Sequence, residues 1–326
     1  MKLVLALIGT AASVALAVIV LAVTPARAND YPSRPIKIIA PIAAGGPSDT
    51  AARLVAQALA RHINQNVVVE NRTGAGGVLG TEMAANAPAD GHTLLLSIAA
   101  TFTVIPLSKK VAYDPEKDFI ALGQIWQAPQ ALVFNNESKF KTAPELVNYA
   151  KANPGKLTFG SAGIGTTTHL SIELLQRDAG IQVTHVPYRG TSQSVADIMG
   201  GTIDAAFGDI SNVSPFVDGG KLTALATTGA ERSPLMPNVP TTAEAGIGGV
   251  RTVNWYGLHV SSKTPPDIVE KLKAAVLTTQ NDPEFKAILQ KNATSTGTVG
   301  ADAFEKMIQD ERQRLAPVIR SLGEIK

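Results

Sequence analysis

The chain has 326 residues, no cysteine, and 29 Lys+Arg against 27 Asp+Glu, a formal net charge of +2. This length allows two domains. The missing cysteine excludes thiol catalysis and a disulfide framework, and the balanced charge excludes the cationic bias of a nucleic-acid or anionic-membrane binder.

Residues 1–28 read as an export signal. Lys2 supplies the positive start, Leu3 to Val23 is almost unbroken apolar, and Ala26-Arg27-Ala28 is a small-x-small cleavage site. Cleavage after Ala28 is expected, leaving residues 29–326 as an exported chain with 27 basic against 27 acidic side chains. A retained membrane anchor stays open as the alternative, because about 20 apolar residues suffice to cross a bilayer. No cysteine follows the apolar run, so a lipoprotein anchor is excluded.

Pro32 to Pro35 leads into a strand at Ile36 to Pro41, and a glycine loop follows, Ala43-Ala44-Gly45-Gly46-Pro47-Ser48-Asp49. The next helix carries Leu54, Val55, Ala58 and Leu59 on one face. Val67 to Glu70 is a second strand, Gly74 to Gly80 a turn into a helix, and Thr93 to Ser97 a third strand. Alternating strand and helix predict a parallel sheet covered on both faces. The rhythm restarts at Leu132 to Phe134, with a helix from Pro144 to Ala150 and a break at Asn153-Pro154-Gly155. Lys156 to Phe159 feeds a second loop, Gly160-Ser161-Ala162-Gly163-Ile164-Gly165-Thr166-Thr167-Thr168-His169, and strands follow at Val183 to Val186, Ile203 to Phe207 and Leu222 to Thr227. The fold class is therefore α/β, with two sheet-and-helix domains of similar design.

After the loop-rich stretch Pro234 to Gly249, Thr252 to Val260 is an aromatic strand, and only helices follow, at Pro266 to Thr279, Pro283 to Leu289 and Ala301 to Leu322. The last places Phe304, Met307, Ile308, Leu315, Ile319 and Leu322 on one stripe. A tail without strands of its own needs a sheet to pack on, so the chain is expected to return to the first domain.

Each glycine loop lies between a strand and a helix, which aims backbone N–H groups and the positive end of a helix dipole into a crevice suited to an anion. In the first loop Gly45 and Gly46 allow close approach to the main chain, and Ser48 or Asp49 can cap the helix. Ser161, Thr166 and Thr167 add hydroxyls in the second, and Ala162 and Gly165 add amides. The alternative for both is a capped turn without a ligand. His169 is either a packed neutral histidine or a ligand donor. Asp209 follows the Ile203 to Phe207 strand at the end where open α/β sheets place ligands, and Ser97 and Thr101 hold the same kind of position in the first domain. Because an acid repels an anion, Asp209 is expected to order a water, an amine or a loop of the other domain. Arg72 is the nearest fixed charge to the glycine loops, and no Arg or Lys lies within either.

Catalytic patterns are missing. There is no G-x-S-x-G elbow, no H-E-x-x-H, and no metal-ligand spacing among His62, His92, His169, His185 and His259, so no catalytic residue, metal or cofactor is expected. Gly160 to Thr167 has a phosphate-loop outline with Thr166 where the lysine belongs, and Gly74, Gly76 and Gly80 resemble a dinucleotide turn with Leu79 at the third glycine position.

The chain resembles the tripartite tricarboxylate transporter substrate-binding proteins, the Bug family of bacterial periplasmic receptors. The resemblance rests on Tyr31-Pro32 with Arg34-Pro35-Ile36, Gly45-Gly46 with Asp49, Val69-Glu70-Asn71-Arg72 with Gly74-Ala75-Gly76-Gly77, and Asp90-Gly91. It continues through Tyr113-Asp114 with Asp118-Phe119, Gly155-Lys156-Leu157, Gly160-Ser161-Ala162-Gly163 with Gly165 and His169, and His185-Val186-Pro187-Tyr188. Gly219 to Leu222, Arg232-Ser233, Val239-Pro240-Thr241 with Glu244-Ala245-Gly246, and Pro265-Pro266 complete it. One departure stands in the first loop, where the family reads Pro-Gly-Gly and this chain has Ala44 in place of the proline.

The resemblance implies a two-lobed periplasmic-binding-protein (Venus-flytrap) fold, with crossover strands near Gln124 to Ala131 and Val253 to Leu258. The expected division is a signal peptide at 1–28, lobe one at 29–126 plus 253–326, and lobe two at 127–252. It also implies a small organic carboxylate as ligand and the integral-membrane permease subunits of a tripartite tricarboxylate transporter as partners, with no nucleic acid and a monomeric receptor. The ligand would meet Ala44, Gly45, Gly46, Ser48, Asp49, Ser97, Thr101, Ser161, Ala162, Gly165, Thr166, Thr167, His169 and Asp209. A ligand-presenting sensor subunit and a periplasmic hydrolase or lyase are the alternatives.

Overall fold

The computed structural model describes residues 31–45, 47–138, 140–291 and 294–322. The export signal and Gly46 lie outside the described residues. In chain order the elements are β1 (Ile36–Ala40), α1 (Pro47–Ile63), β2 (Val67–Asn71), α2 (Val78–Ala85) and β3 (Thr93–Ile98). A π-helical turn at Ala100–Val104 runs into α3 (Ile105–Ser108), and β4 (Phe119–Asn135) follows. Next come α4 (Ala143–Ala152), β5 (Thr158–Ser161), α5 (Thr167–Ala179), β6 (Thr184–Pro187), α6 (Thr191–Met199), β7 (Ala205–Asp209), α7 (Ile210–Asp218) and β8 (Leu222–Thr227). Finally there are β9 (Val253–Ser261), α8 (Pro266–Asn281), α9 (Pro283–Lys291) and α10 (Ala301–Leu322).

The strand that organises the molecule is β4. Its 17 residues reach roughly 55 Å at about 3.3 Å per residue, far enough to serve two lobes. Phe119 to Pro129 pair antiparallel with β9, while Gln130 to Asn135 lie between β7 and β8. Register shifts near Leu122, Ile125 and Leu132 let so long a strand bend between the two sheets. The resulting order is β2-β1-β3-β9-β4-β7-β5-β6, with β8 on the other side of β4.

The expected all-parallel sheets are mixed. β2, β1 and β3 are parallel, as are β6, β5 and β7, but β9 is antiparallel to β3 and β4, and β4 is antiparallel to β7 and β8. The reason is topological: a strand that enters a lobe from its neighbour runs against the strands built by right-handed βα crossovers. Leu222 to Thr227 runs in the same direction as β7 but pairs with β4, which lies between them.

One hydrophobic core gathers residues between 36 and 128 with others between 255 and 308. Two further clusters cover the faces of the second sheet. The returning tail belongs to the first core, where Phe304 closes over Gly257, which leaves no room for a Cβ, and meets Trp255 edge-on at 5.4 Å. The predicted stripe on α10 divides: Phe304 and Ile308 enter the first core, and Leu315 and Ile319 enter the second. Midway, the partly buried Glu311 accepts from Trp255 Nε1 at 2.6 Å and Thr103 Oγ1 at 3.1 Å. Burial pushes its carboxyl up, against the pull of those two donors. The tail is thus a brace across both lobes. No helix among the described residues is long and apolar enough to cross a membrane.

Candidate ligand-binding site

The second glycine loop joins the end of β5 to α5, and its own side chains hold it in shape. Thr166 is the N-cap of α5, its hydroxyl accepting from His169 N and donating to Gly163 O at 2.6 Å. Ala162 N donates to Thr168 Oγ1 at 2.9 Å, and Gly163 N donates to Ser161 Oγ at 3.0 Å. Gly163 and Gly165 have φ of 131° and 78°, so the loop needs both glycines. Gly165 N donates to His169 Nδ1 at 3.2 Å, which makes this nitrogen the acceptor and leaves the ring proton on Nε2, facing Glu173 Oε1 at 3.4 Å. His169 is buried, and its Nδ1 positions the loop through Gly165 N.

His185 stacks on His169 with centroids 3.8 Å apart and places Nε2 2.7 Å from Ser161 Oγ. Burial, reinforced by His169 alongside and opposed by Glu173, pushes the His185 imidazole down to about 4. Thr167 and Thr168 open α5, so their N–H groups have no acceptor within the helix and form its positive end.

The same helix end is tied to both crossover strands. Gln130 on β4 donates through Nε2 to Thr167 Oγ1 at 3.1 Å and accepts from Ser171 Oγ at 2.6 Å, and Ser171 Oγ lies 2.7 Å from Thr252 Oγ1 just before β9. Gln130, Ser171 and Thr252 were not foreseen from sequence, since a polar residue within an apolar strand carries no local pattern that names its partner.

Facing this loop are glycines of the first lobe. A Cβ on Gly76 would lie 3.1 Å from the Ile164 carbonyl oxygen, and one on Gly165 would lie 2.9 Å from Ile105 Cγ1. The Gly74 to Gly77 turn and α3 therefore bear directly on the loop of the other lobe. Thr101 is buried behind that turn, its methyl 3.0 Å from where a Gly77 Cβ would stand and its hydroxyl 3.4 Å from Ile98 O.

In the first loop, Ala44 and Gly45 form an exposed turn and Ser48 stands in the first turn of α1. Gly45 N donates to Asp49 Oδ2 at 3.0 Å, which also accepts from Arg53 Nε at 3.0 Å, while Oδ1 accepts from Asn71 Nδ2 at 2.9 Å. Burial alone would push the Asp49 carboxyl up, but these donors and the Arg53 charge hold it below its ordinary value. Asp49 locks the loop to α1 and β2. Ser97 is buried against His259, whose Nδ1 lies 2.8 Å from its hydroxyl, and Arg72 pairs with Glu70.

Asp209 ends β7 and occupies the N-cap position of α7, where its side chain makes no capping hydrogen bond. Its Oδ2 accepts from Asn254 Nδ2 at 3.1 Å, and the same amide nitrogen donates to Tyr256 OH at 2.6 Å. Burial pushes the Asp209 carboxyl up to about 6, against the Asn254 hydrogen bond. Asp209 Oδ1, Ser211 Oγ and Asn212 Nδ2 are buried with no hydrogen-bond partner among the described residues. Ser211 and Asn212 were also missed, although the two residues after an acid at a strand-to-helix junction are the positions that could have pointed to them.

A family model described as tripartite tricarboxylate transporter family receptor matches residues 51–324. The chain belongs to this family. Among its relatives, BugT of Bordetella pertussis is 34% identical over 304 residues, covering 92% of each chain. Among solved structures, MatC of Rhodopseudomonas palustris with bound malate superposes with a TM-score of 0.83 at 31% identity, over 89% of this chain and 100% of that one. The R. palustris protein Rpa4515 with adipate gives 0.84 at 28% identity, over 89% and 98%. The receptor family and the two-lobed fold that the motifs implied are both established by these matches.

Proposed function

We propose that this receptor is exported, is cleaved after Ala28, and captures a small organic carboxylate between its lobes for delivery to the permease of a tripartite tricarboxylate transporter. The lobes divide as residues 29–126 with 253–326 and residues 127–252, and the receptor acts as a monomer. One observation carries the reading: the N-terminus of α5, with the Thr167 and Thr168 amides at its positive end, follows the glycine loop that the Gly74 to Gly77 turn and α3 of the other lobe bear upon. A carboxylate there would be held by amides, hydroxyls and water rather than by one ion pair. The acids bound by MatC and Rpa4515 support the same class of ligand.

The hydrolase alternative would rest on the Ser161–His185 pair. That serine is fully buried and already accepts from Gly163 N, and an imidazole depressed to about 4 is a weak base at neutral pH, so the pair supports the loop rather than turnover.

A thermal-shift screen of small organic acids, each beside its neutral amide, tests the function. An acid at 100 times its dissociation constant adds about 2.7 kcal/mol of stability, and its amide adds none. If no acid shifts the melting temperature, or if amides shift it equally, the carboxylate reading fails.

A further inference from the structure

The junction of β7 and α7 holds three unpartnered polar atoms that the α5 loop does not use. Asp209 is 8% exposed, and its Oδ1 has no partner among the described residues. Ser211 Oγ and Asn212 Nδ2, in the first turn of α7, are likewise buried and unpartnered. The junction sits at the waist: Gln130 of β4 pairs with Asp209, Ala128 of β4 pairs with Asn254, and Asn254 holds Asp209 Oδ2. It therefore lies where β4 passes from one sheet to the other, beside the Gln130–Thr167 contact that leads to α5.

The three atoms differ in what they want. An ionised Asp209 only accepts, Asn212 Nδ2 only donates, and Ser211 does either. A plain carboxylate set against them would satisfy Asn212 and Ser211 but would bring a second negative charge onto Asp209. In a diacid whose first carboxylate lies at the N-terminus of α5, a second carboxylate whose adjacent carbon bears a hydroxyl or an ammonium satisfies all three, with its oxygens on Asn212 and Ser211 at the N-terminus of α7 and its donor on Asp209 Oδ1. We infer that this receptor selects acids bearing a hydroxyl or amino group next to a carboxylate, and that Asp209 reads that group. The inference rests on the carboxylate-receptor function proposed above and narrows it to one chemical class.

Calorimetry at pH 7.5 with succinate, malate and aspartate, and with glutarate, 2-hydroxyglutarate and glutamate, tests it on the wild type and on Asp209→Asn. Asparagine keeps the shape and the oxygen that accepts from Asn254, so the variant is expected to fold. In at least one series the hydroxy or amino acid should bind about 10-fold or more tighter than the plain diacid, the size of one charge-assisted hydrogen bond, and Asp209→Asn should erase that gap. Ser211→Ala should weaken the hydroxy or amino acid and the plain diacid alike, leaving their ratio unchanged. Plain diacids binding within threefold of their substituted partners in both series would overturn the inference while leaving the carboxylate receptor intact. So would a gap that survives in Asp209→Asn. If none of the six acids binds, the carboxylate reading falls and takes this inference with it.

Discussion

Asp209→Asn should make the ligand-free receptor more stable at neutral pH. Burial raises this carboxyl from 3.8 to about 6, so the folded state holds its proton more tightly than the unfolded chain does. The stability that Asp209 contributes is fully present below 3.8 and is lost as pH rises through 6. At pH 7.5 a shift of about 2 units corresponds to roughly 3 kcal/mol at 1.36 kcal/mol per unit, and asparagine, which cannot ionise, removes that cost while still accepting from Asn254. Urea unfolding of both proteins at pH 7.5 and at pH 4.5 measures the difference, with the other titrating groups cancelling between the pair. The gain should be roughly 2–3 kcal/mol at the higher pH and about 1 kcal/mol or less at the lower. A variant no more stable than wild type at pH 7.5, or a gain independent of pH, would show that this carboxylate is not buried as described.

Other outcomes follow from the histidines and the N-terminus. His169→Leu removes the acceptor for Gly165 N and should weaken acid binding by about 10-fold or more, whereas His169→Asn, whose amide oxygen can take that bond, should restore much of it; equal loss in both variants, read by calorimetry, would mean the acceptor is irrelevant. Burial depresses His185 to about 4 and His259 to about 3, so their contribution to stability is present above the unfolded value of 6.5 and drains as pH falls from there toward 4; chemical denaturation across pH 7.5 to 4.5 should show the decline, and a shallower decline in His185→Asn would assign its share, leaving that of His259. The intact mass of receptor recovered from the periplasm should begin at Asn29, while full-length chain in the membrane fraction would establish an anchor.

Much of the architecture was legible because it is local. Glycines at a strand end mark a backbone that must take positive φ, as Gly45, Gly163 and Gly165 do, and the 3.6-residue stripe of α10 is buried at Phe304, Ile308, Leu315 and Ile319. The crossover strands were legible only through the family motifs. Long-range pairing was not legible: Gln130 meets Thr167 across 37 positions and Thr252 across 122, and nothing within either segment names the other. The same limit hid the antiparallel partner of β8 and the reach of α10 into the second core, since an amphipathic stripe says which face is buried but not against what. At the site, residue types located the loops correctly in the chain but could not show which groups were already engaged. Both Asp49 oxygens and the Ser161 hydroxyl are occupied inside the protein, while Asp209 Oδ1 is not.

The most direct measurement is a crystal structure of the receptor with the acid that the thermal screen selects. A carboxylate should lie between the lobes, with its oxygens about 2.7–3.2 Å from donors at the N-terminus of α5 and with the Gly74 to Gly77 turn closing over it. An acid bound away from the α5 N-terminus, with the Thr167 and Thr168 amides left facing water, would contradict it.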